Sequence, residues 1–247
     1  MTEIKQILSK LNDEQVKPVL DTEGAVLVIA GAGSGKTRVL TSRIAYLILE
    51  KNVSPSNIMA ITFTNKAADE MKERLIKIVG DIGDMWVSTI HSMCVRILRR
   101  DINKLGYDTN FTIYDDLDKE RVLKRVFEEL NYDADKLLKP VKSAISNAKN
   151  ECLSPIEFKK AYSDNKNITE YFEIYDKYNS YLESSNALDF DDLLFVTYKL
   201  FCEHPEVADY YSNKFQYIHI DEFQDTNKVQ FAIAQRLSSF YFAVNYS

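Results

Sequence analysis

The sequence predicts an α/β fold, a parallel sheet flanked by helices and interrupted by a helical insertion, and three observations carry that expectation. Short apolar runs alternate with segments of helical periodicity through the N-terminal part of the chain. Only seven glycines occur in 247 residues, yet Gly31, Gly33 and Gly35 fall together, between an apolar run and a helical pattern. Late in the chain another apolar run, Tyr217-Ile-His-Ile220, leads into Asp221-Glu222.

Taken in order, Ala25-Val-Leu-Val-Ile-Ala30 is continuously apolar, the pattern of a strand buried on both faces. Thr37 to Leu49 sets Val39, Leu40, Ile44, Leu47 and Ile48 at helical spacing. Ile58 to Phe63 reads as a strand, Asn65 to Val79 as a helix, Met85 to Thr89 as a strand and Ser92 to Lys104 as a helix. Repeated βα units of this kind build parallel sheets. From Asp115 to about Asn186 the pattern is helical and charged, with Tyr162, Tyr171, Phe172, Tyr175, Tyr178 and Tyr181 at three- and four-residue spacings. Such a stripe is the core side of packed helices. Tyr217 to Ile220 then resumes the sheet, a helix follows with Val229, Ala232, Ile233 and Leu237, and Phe240 to Val244 reads as the next strand. The changes of pattern divide the chain into a sheet domain over 1–107, a helical insertion over 108–187 and a second part of the sheet domain over 188–247.

Composition narrows the function. With 31 basic against 37 acidic residues the net charge is −6, and 45% apolar residues are ordinary for a globular protein. Cys94, Cys152 and Cys202 lie far apart with no C-x-x-C spacing, which argues against a secreted disulfide framework or zinc ribbon and suggests a reduced, cytoplasmic setting. Met1 to Lys10 lacks the apolar core of a signal peptide, and Ala25 to Ala30 is too short to span a bilayer, so no membrane association is expected. Charge is uneven: Met1 to Lys104 carries 15 basic and 12 acidic residues, whereas Leu105 to Ser247 carries 16 and 25. The first segment keeps a cluster at Arg96, Arg99, Arg100 and Lys104, either a nucleic-acid-facing surface or a solvated helix face.

Ala30-Gly-Ala-Gly-Ser-Gly-Lys-Thr37 is close to the phosphate-binding loop pattern, with Ala30 where the general pattern begins in glycine. Small residues let consecutive N–H groups point at a polyphosphate, and the following helix presents its positive end. Lys36 adds a full charge for the β and γ phosphates, and the Thr37 hydroxyl suits Mg²⁺. A nucleotide hydrolase also needs a carboxylate for Mg²⁺ and a group that positions water. Asp221 and Glu222 supply them at the end of an apolar strand, on the sheet edge where ligands bind. His219, inside that strand, reads as structural.

These segments resemble the N-terminal part of the UvrD/Rep/PcrA family of superfamily 1 DNA helicases. Leu11-Asn-Asp-Glu-Gln15 is similar to its Q motif, Ala30 to Thr37 to motif I, and Ile61-Thr-Phe-Thr-Asn-Lys-Ala-Ala-Asp-Glu-Met71 to motif Ia. Val87-Ser-Thr-Ile-His-Ser92 resembles the next DNA-contacting motif, Leu188-Asp-Phe-Asp-Asp-Leu-Leu194 the segment returning from the insertion, and Asp221-Glu-Phe-Gln-Asp-Thr226 motif II. An initial alanine in motif I is usual in that family.

The resemblance implies a RecA-like P-loop NTPase domain that uses ATP and Mg²⁺. Gln15 would read the adenine edge. Ala30, Gly31, Ala32, Gly33, Ser34, Gly35, Lys36, Thr37 and Arg38 would line the nucleotide site. Lys36, Asp221 and Glu222 would be catalytic, with Thr37 and Asp221 on the metal. Phe63 would stack on an unpaired base, a sequence-neutral contact, although its place at the end of an apolar run also fits a core residue. Thr64, Asn65, Lys66, Thr89, His91 and Ser92 would hold the strand backbone. Single-stranded DNA and single-strand/duplex junctions are the implied partners. Family helicases continue into motif III and a second motor domain with arginine fingers, whereas this sequence ends in Asn245-Tyr-Ser247. The expectation is therefore a truncated product or fragment of a 3′→5′ helicase, unable to unwind alone; the competing reading is a non-motor nucleotide- or single-strand-binding module. A small-molecule kinase would leave Thr62 to Ala68 and Asp221 to Thr226 unexplained.

Overall fold

A computed structural model of the chain describes residues 3–31 and 33–238. Helices α1 (Glu3–Leu8), α2 (Asp13–Leu20) and α3 (Lys36–Leu49) precede strand β1 (Ile58–Thr62), helix α4 (Asn65–Val79), strand β2 (Trp86–Thr89) and helix α5 (Ile90–Asp101). Next come β3 (Thr112–Tyr114), α6 (Asp116–Leu130), α7 (Ala134–Asn150), α8 (Pro155–Ala161), α9 (Ile168–Ser184), β4 (Ala187–Asp189) and α10 (Phe190–Glu203). Helix α11 (Pro205–Lys214), β5 (Tyr217–Ile220) and α12 (Lys228–Leu237) complete the described elements.

Among the described residues, those of Met1–Met93, Ala208–Asp225 and Gln235–Ser247 form one compact unit, and Cys94–Val207 with Thr226–Ala234 a second. In the first, the parallel sheet runs β2-β1-β5, with Ile61 opposite both Ser88 and Ile220. Every residue of β1 is buried, as its place between two parallel neighbours requires. Helices α3 and α4 cover one face through Ile44, Leu47, Ala68, Met71 and Leu75, which meet Ile58, Ala60 and Val87 of the strands. On the other face the Trp86 ring lies 4.8 Å from Phe215 and 5.8 Å from Tyr211. Because the strands are parallel, Thr62, Thr89 and Ile220 all end at one edge, where the candidate site lies.

The second unit packs α6, α7 and α9 around Leu123, Phe127, Val141, Ile145, Ile174, Tyr175 and Tyr178. The aromatic stripe is thus core at Tyr175 and Tyr178, while Tyr162 and Tyr181 lie nearer the surface and donate their hydroxyls to Glu151 and Glu129. Strand β3 pairs in parallel with β4. Beside them Lys149 Nζ sits 2.9 Å from Asp189 and 2.7 Å from Asp192, fully buried. Lys119 lies 3.1 Å from Asp189 and 2.8 Å from Asp191, and Tyr178 donates to Asp189 at 2.9 Å. Burial opposes ionisation of Asp189, but Lys149 and Lys119 more than offset it and hold the carboxyl well below its usual range. Burial and the Asp189 charge instead push the Asp192 carboxyl up.

One expectation changes. Ala25 to Ala30 forms no strand: the segment pairs with none of the described strands, leaving Leu27 69% and Ile29 90% exposed. A continuous apolar run encodes burial on both faces but not the neighbour that supplies the hydrogen bonds, and without that ladder a strand does not persist. By their contacts, residues 94–107 and 188–207 group with the helical unit. Helix α10 joins it because Asp192 pairs with Lys149 of α7, a long-range contact that local periodicity does not show. Phe240 to Val244 lies outside the described residues.

Candidate functional site

Gly33 and Gly35 have φ of 75° and 90°, left-handed values that favour glycine. A Cβ on Gly35 would stand 3.0 Å from Gln15 Nε2, so glycine also allows a close approach. Gly35 caps α3 without a side-chain acceptor, and the first turn of this 14-residue helix contains no acidic residue. Its first N–H groups and the positive end of its dipole therefore suit an anion. Behind the loop, the Ser34 N–H donates to the Gly31 carbonyl at 3.3 Å.

Lys36 Nζ lies 3.4 Å from the Ala30 carbonyl and 3.4 Å from Glu222 Oε2. Glu222 reaches it because the Asp221 N–H still donates to the Ile61 carbonyl at 2.9 Å, prolonging the β1–β5 ladder, and the chain then turns sharply with Glu222 at φ 51°. Asp221 Oδ1 accepts from the Glu222 N–H at 3.1 Å. Burial and the neighbouring Glu222 charge raise the Asp221 carboxyl, partly countered by that hydrogen bond and by Lys36. Gln224 Nε2 donates to Glu222 Oε2 at 2.6 Å, and that bond together with Lys36 lowers the Glu222 carboxyl. Sequence reading passed over Gln224, although its place two residues after the carboxylate was a usable signal.

Gln15 sits in the capping box of α2. Its N–H donates to Asn12 Oδ1 at 2.9 Å, its Oε1 accepts from the Asn12 N–H at 3.1 Å, and its Nε2 donates to the Ser34 carbonyl at 2.8 Å. Gln15, Ser34 and Gly35 thus meet at one point, as Lys36 meets Ala30 and Glu222. Thr37 is half-buried in the first turn of α3, where its carbonyl accepts from the Thr41 hydroxyl at 2.9 Å, and Arg38 beside it is exposed. Ala32 lies outside the described residues. His219 is buried at 8% exposure, and burial, helped by Arg43, lowers its pKa to about 3, in keeping with a structural role.

Phe63 directly follows β1 with 45% of its surface exposed, so it is not the core residue its apolar run allows. Thr64, Asn65 and Lys66 follow, all exposed, and Thr64 Oγ1 caps α4 by accepting from the Ala67 N–H at 3.1 Å. At the end of β2 the Thr89 and Ser92 hydroxyls lie 2.9 Å apart, with Ser92 exposed and His91 half-buried. In the second unit, Arg99 donates to the Thr109 carbonyl at 2.8 Å and lies over the Phe111 ring, Arg100 pairs with Asp101 at 3.8 Å, and Lys104 pairs with Glu206 at 3.0 Å. Much of the basic cluster is thus engaged within the chain.

A family model for the UvrD/REP helicase N-terminal domain matches residues 11–242. The chain is 52% identical over 235 residues to the ATP-dependent DNA helicase PcrA of Staphylococcus aureus, a match covering 94% of this chain and 32% of that protein. It is 50% identical over 238 residues to the PcrA helicase of Bacillus subtilis, with the same coverage of 94% and 32%. The chain therefore spans about a third of the length of the relatives it matches. The matched span takes in the phosphate loop, the Phe63 edge and the Asp221-Glu222 pair, and the chain belongs to the UvrD/REP helicase N-terminal domain family.

Proposed function

We propose that this chain is the ATP- and single-stranded-DNA-binding N-terminal part of an ATP-dependent 3′→5′ DNA helicase, with residues 108–187 inserted into a nucleotide domain made of 1–107 and 188–247. The observation that carries the reading is the approach of Lys36 to Glu222 at 3.4 Å, which gathers a phosphate-loop cation and a strand-end carboxylate from distant parts of the chain. Bound Mg²⁺–ATP would supply the scissile phosphoanhydride and a cation to spread its charge. Gly33, Ser34, Gly35 and the first turn of α3 offer N–H groups to the phosphates, and Lys36 adds its charge. Among the described residues no group of three or more His, Cys, Asp or Glu forms a ready metal cage. Thr37 and Asp221 suffice for Mg²⁺, which is usually held by one or two carboxylates with phosphate oxygens and water. Glu222 orients and deprotonates the attacking water. Phe63 presents a stacking face at the same sheet edge, with Thr64, Asn65, Lys66, Thr89, His91 and Ser92 beside it for the sugar–phosphate chain.

The test is equilibrium binding of a fluorescent ATP analogue with Mg²⁺ to the native chain and to Lys36→Ala. A loss of roughly 10- to 100-fold in affinity is expected from removing a charge-assisted contact. Binding indifferent to Lys36 would overturn the assignment.

A further inference from the structure

The Gln15 carboxamide has two N–H groups and two lone pairs. One lone pair is committed to the Asn12 N–H at 3.1 Å and one N–H to the Ser34 carbonyl at 2.8 Å, while the Asn12 side chain holds the Gln15 backbone at 2.9 Å. One donor and one acceptor remain on the same amide, the complement of a nucleobase edge that both accepts and donates. The Ser34 bond joins α2 to the phosphate loop across 19 positions of sequence, at the point where a Cβ on Gly35 would touch Gln15 Nε2.

We infer that Gln15 is a positioning residue for the phosphate loop as well as a reader of the base: it clamps the loop through the Ser34 carbonyl, so that contacts made on the base side of α2 and the geometry offered to the phosphates are linked through one side chain. The inference rests on the nucleotide-site reading for its function, but the clamp itself is a property of the free chain. Its consequence is that Gln15 governs binding of a polyphosphate that has no base at all. A reader of the base alone has no such effect.

The test pairs Gln15→Met, which keeps the length of the side chain and removes its donor, with Gln15→Glu, which keeps an oxygen for Asn12 and loses the Nε2 donor. Amide hydrogen exchange over residues 31–36 is measured without ligand, and inorganic tripolyphosphate with Mg²⁺ is titrated into the native chain and Gln15→Met. Faster exchange in the loop and tripolyphosphate binding weaker by about 3- to 10-fold are expected for loss of one ordering hydrogen bond. Unchanged exchange and unchanged tripolyphosphate affinity would overturn the clamp, whether or not ATP affinity falls. If Gln15→Met does not fold, the exchange of Gln15→Glu without ligand decides alone, because no anion is present to feel its charge. Failure of the native chain to bind any polyphosphate would count against the nucleotide reading and leave the exchange result to judge the clamp.

Discussion

Lys36 has two partners at 3.4 Å, the Ala30 carbonyl and the Glu222 carboxylate, and under the proposed function the second yields when a triphosphate takes the cation. Glu222→Gln should therefore bind the fluorescent nucleotide at least as tightly as the native chain, while its phosphate release falls by about 10²- to 10⁴-fold, the usual reach of a general base; stopped-flow phosphate detection checks both halves. Lys149 makes a different kind of pair. Replacing it by Met leaves Asp189 and Asp192 buried without their shared cation, a loss of about 3–5 kcal/mol. Without that cation the folded-state pKa values of both carboxyls rise, so the folded variant binds protons that the unfolded chain releases above its ordinary carboxylate range. The variant is therefore penalised most at high pH, and the gap to the native chain narrows as pH falls. Urea midpoints at pH 8 and pH 5 test this. None of it was legible locally: Lys149 and Asp189 are forty positions apart in a charged stretch that reads as solvated, whereas Lys36 and Glu222 were legible because each lies within a motif whose neighbours announce the role.

Among the elements, α4 shows what a sequence can state in full. Thr64 caps it, Ala68, Met71 and Leu75 bury one face, and Gly80 at φ 81° ends it, so its predicted and observed bounds coincide. Thr64→Ala should cost about 1 kcal/mol through the lost cap, read as a lower melting temperature. Phe63→Ala, one residue earlier, should weaken binding of an unpaired oligonucleotide by about 1–3 kcal/mol with a smaller effect on stability, since nearly half the ring is already in solvent; fluorescence anisotropy and thermal unfolding separate the two. Strand β5 also kept its predicted bounds. Strands β3 and β4 were not foreseen because three residues each are too few to establish a period of two. Ala25 to Ala30 failed for the opposite reason, a clear pattern whose hydrogen-bond partner no local signal can name.

At the scale of the whole chain, the sequence divides at changes of periodicity, while contacts divide the molecule inside α5, α11 and α12, because a continuous helix carries no mark of where its neighbours change. Translocation along a strand takes two domains that close on ATP and reopen. Residues 1–247 alone are expected to show no unwinding of a forked duplex, and phosphate release about 10³- to 10⁵-fold below a complete motor that supplies arginine fingers; robust unwinding by these residues alone would refute this. Val26, Leu27, Val28 and Ile29 form an uncharged, proline-free run of strand-forming residues held in solvent. A run of that kind is a template for cross-β stacking between copies, so these residues should associate progressively with concentration. A single lysine at Leu27 or Ile29 should act as a gatekeeper and suppress the rise in light scattering without touching the chemistry of the site.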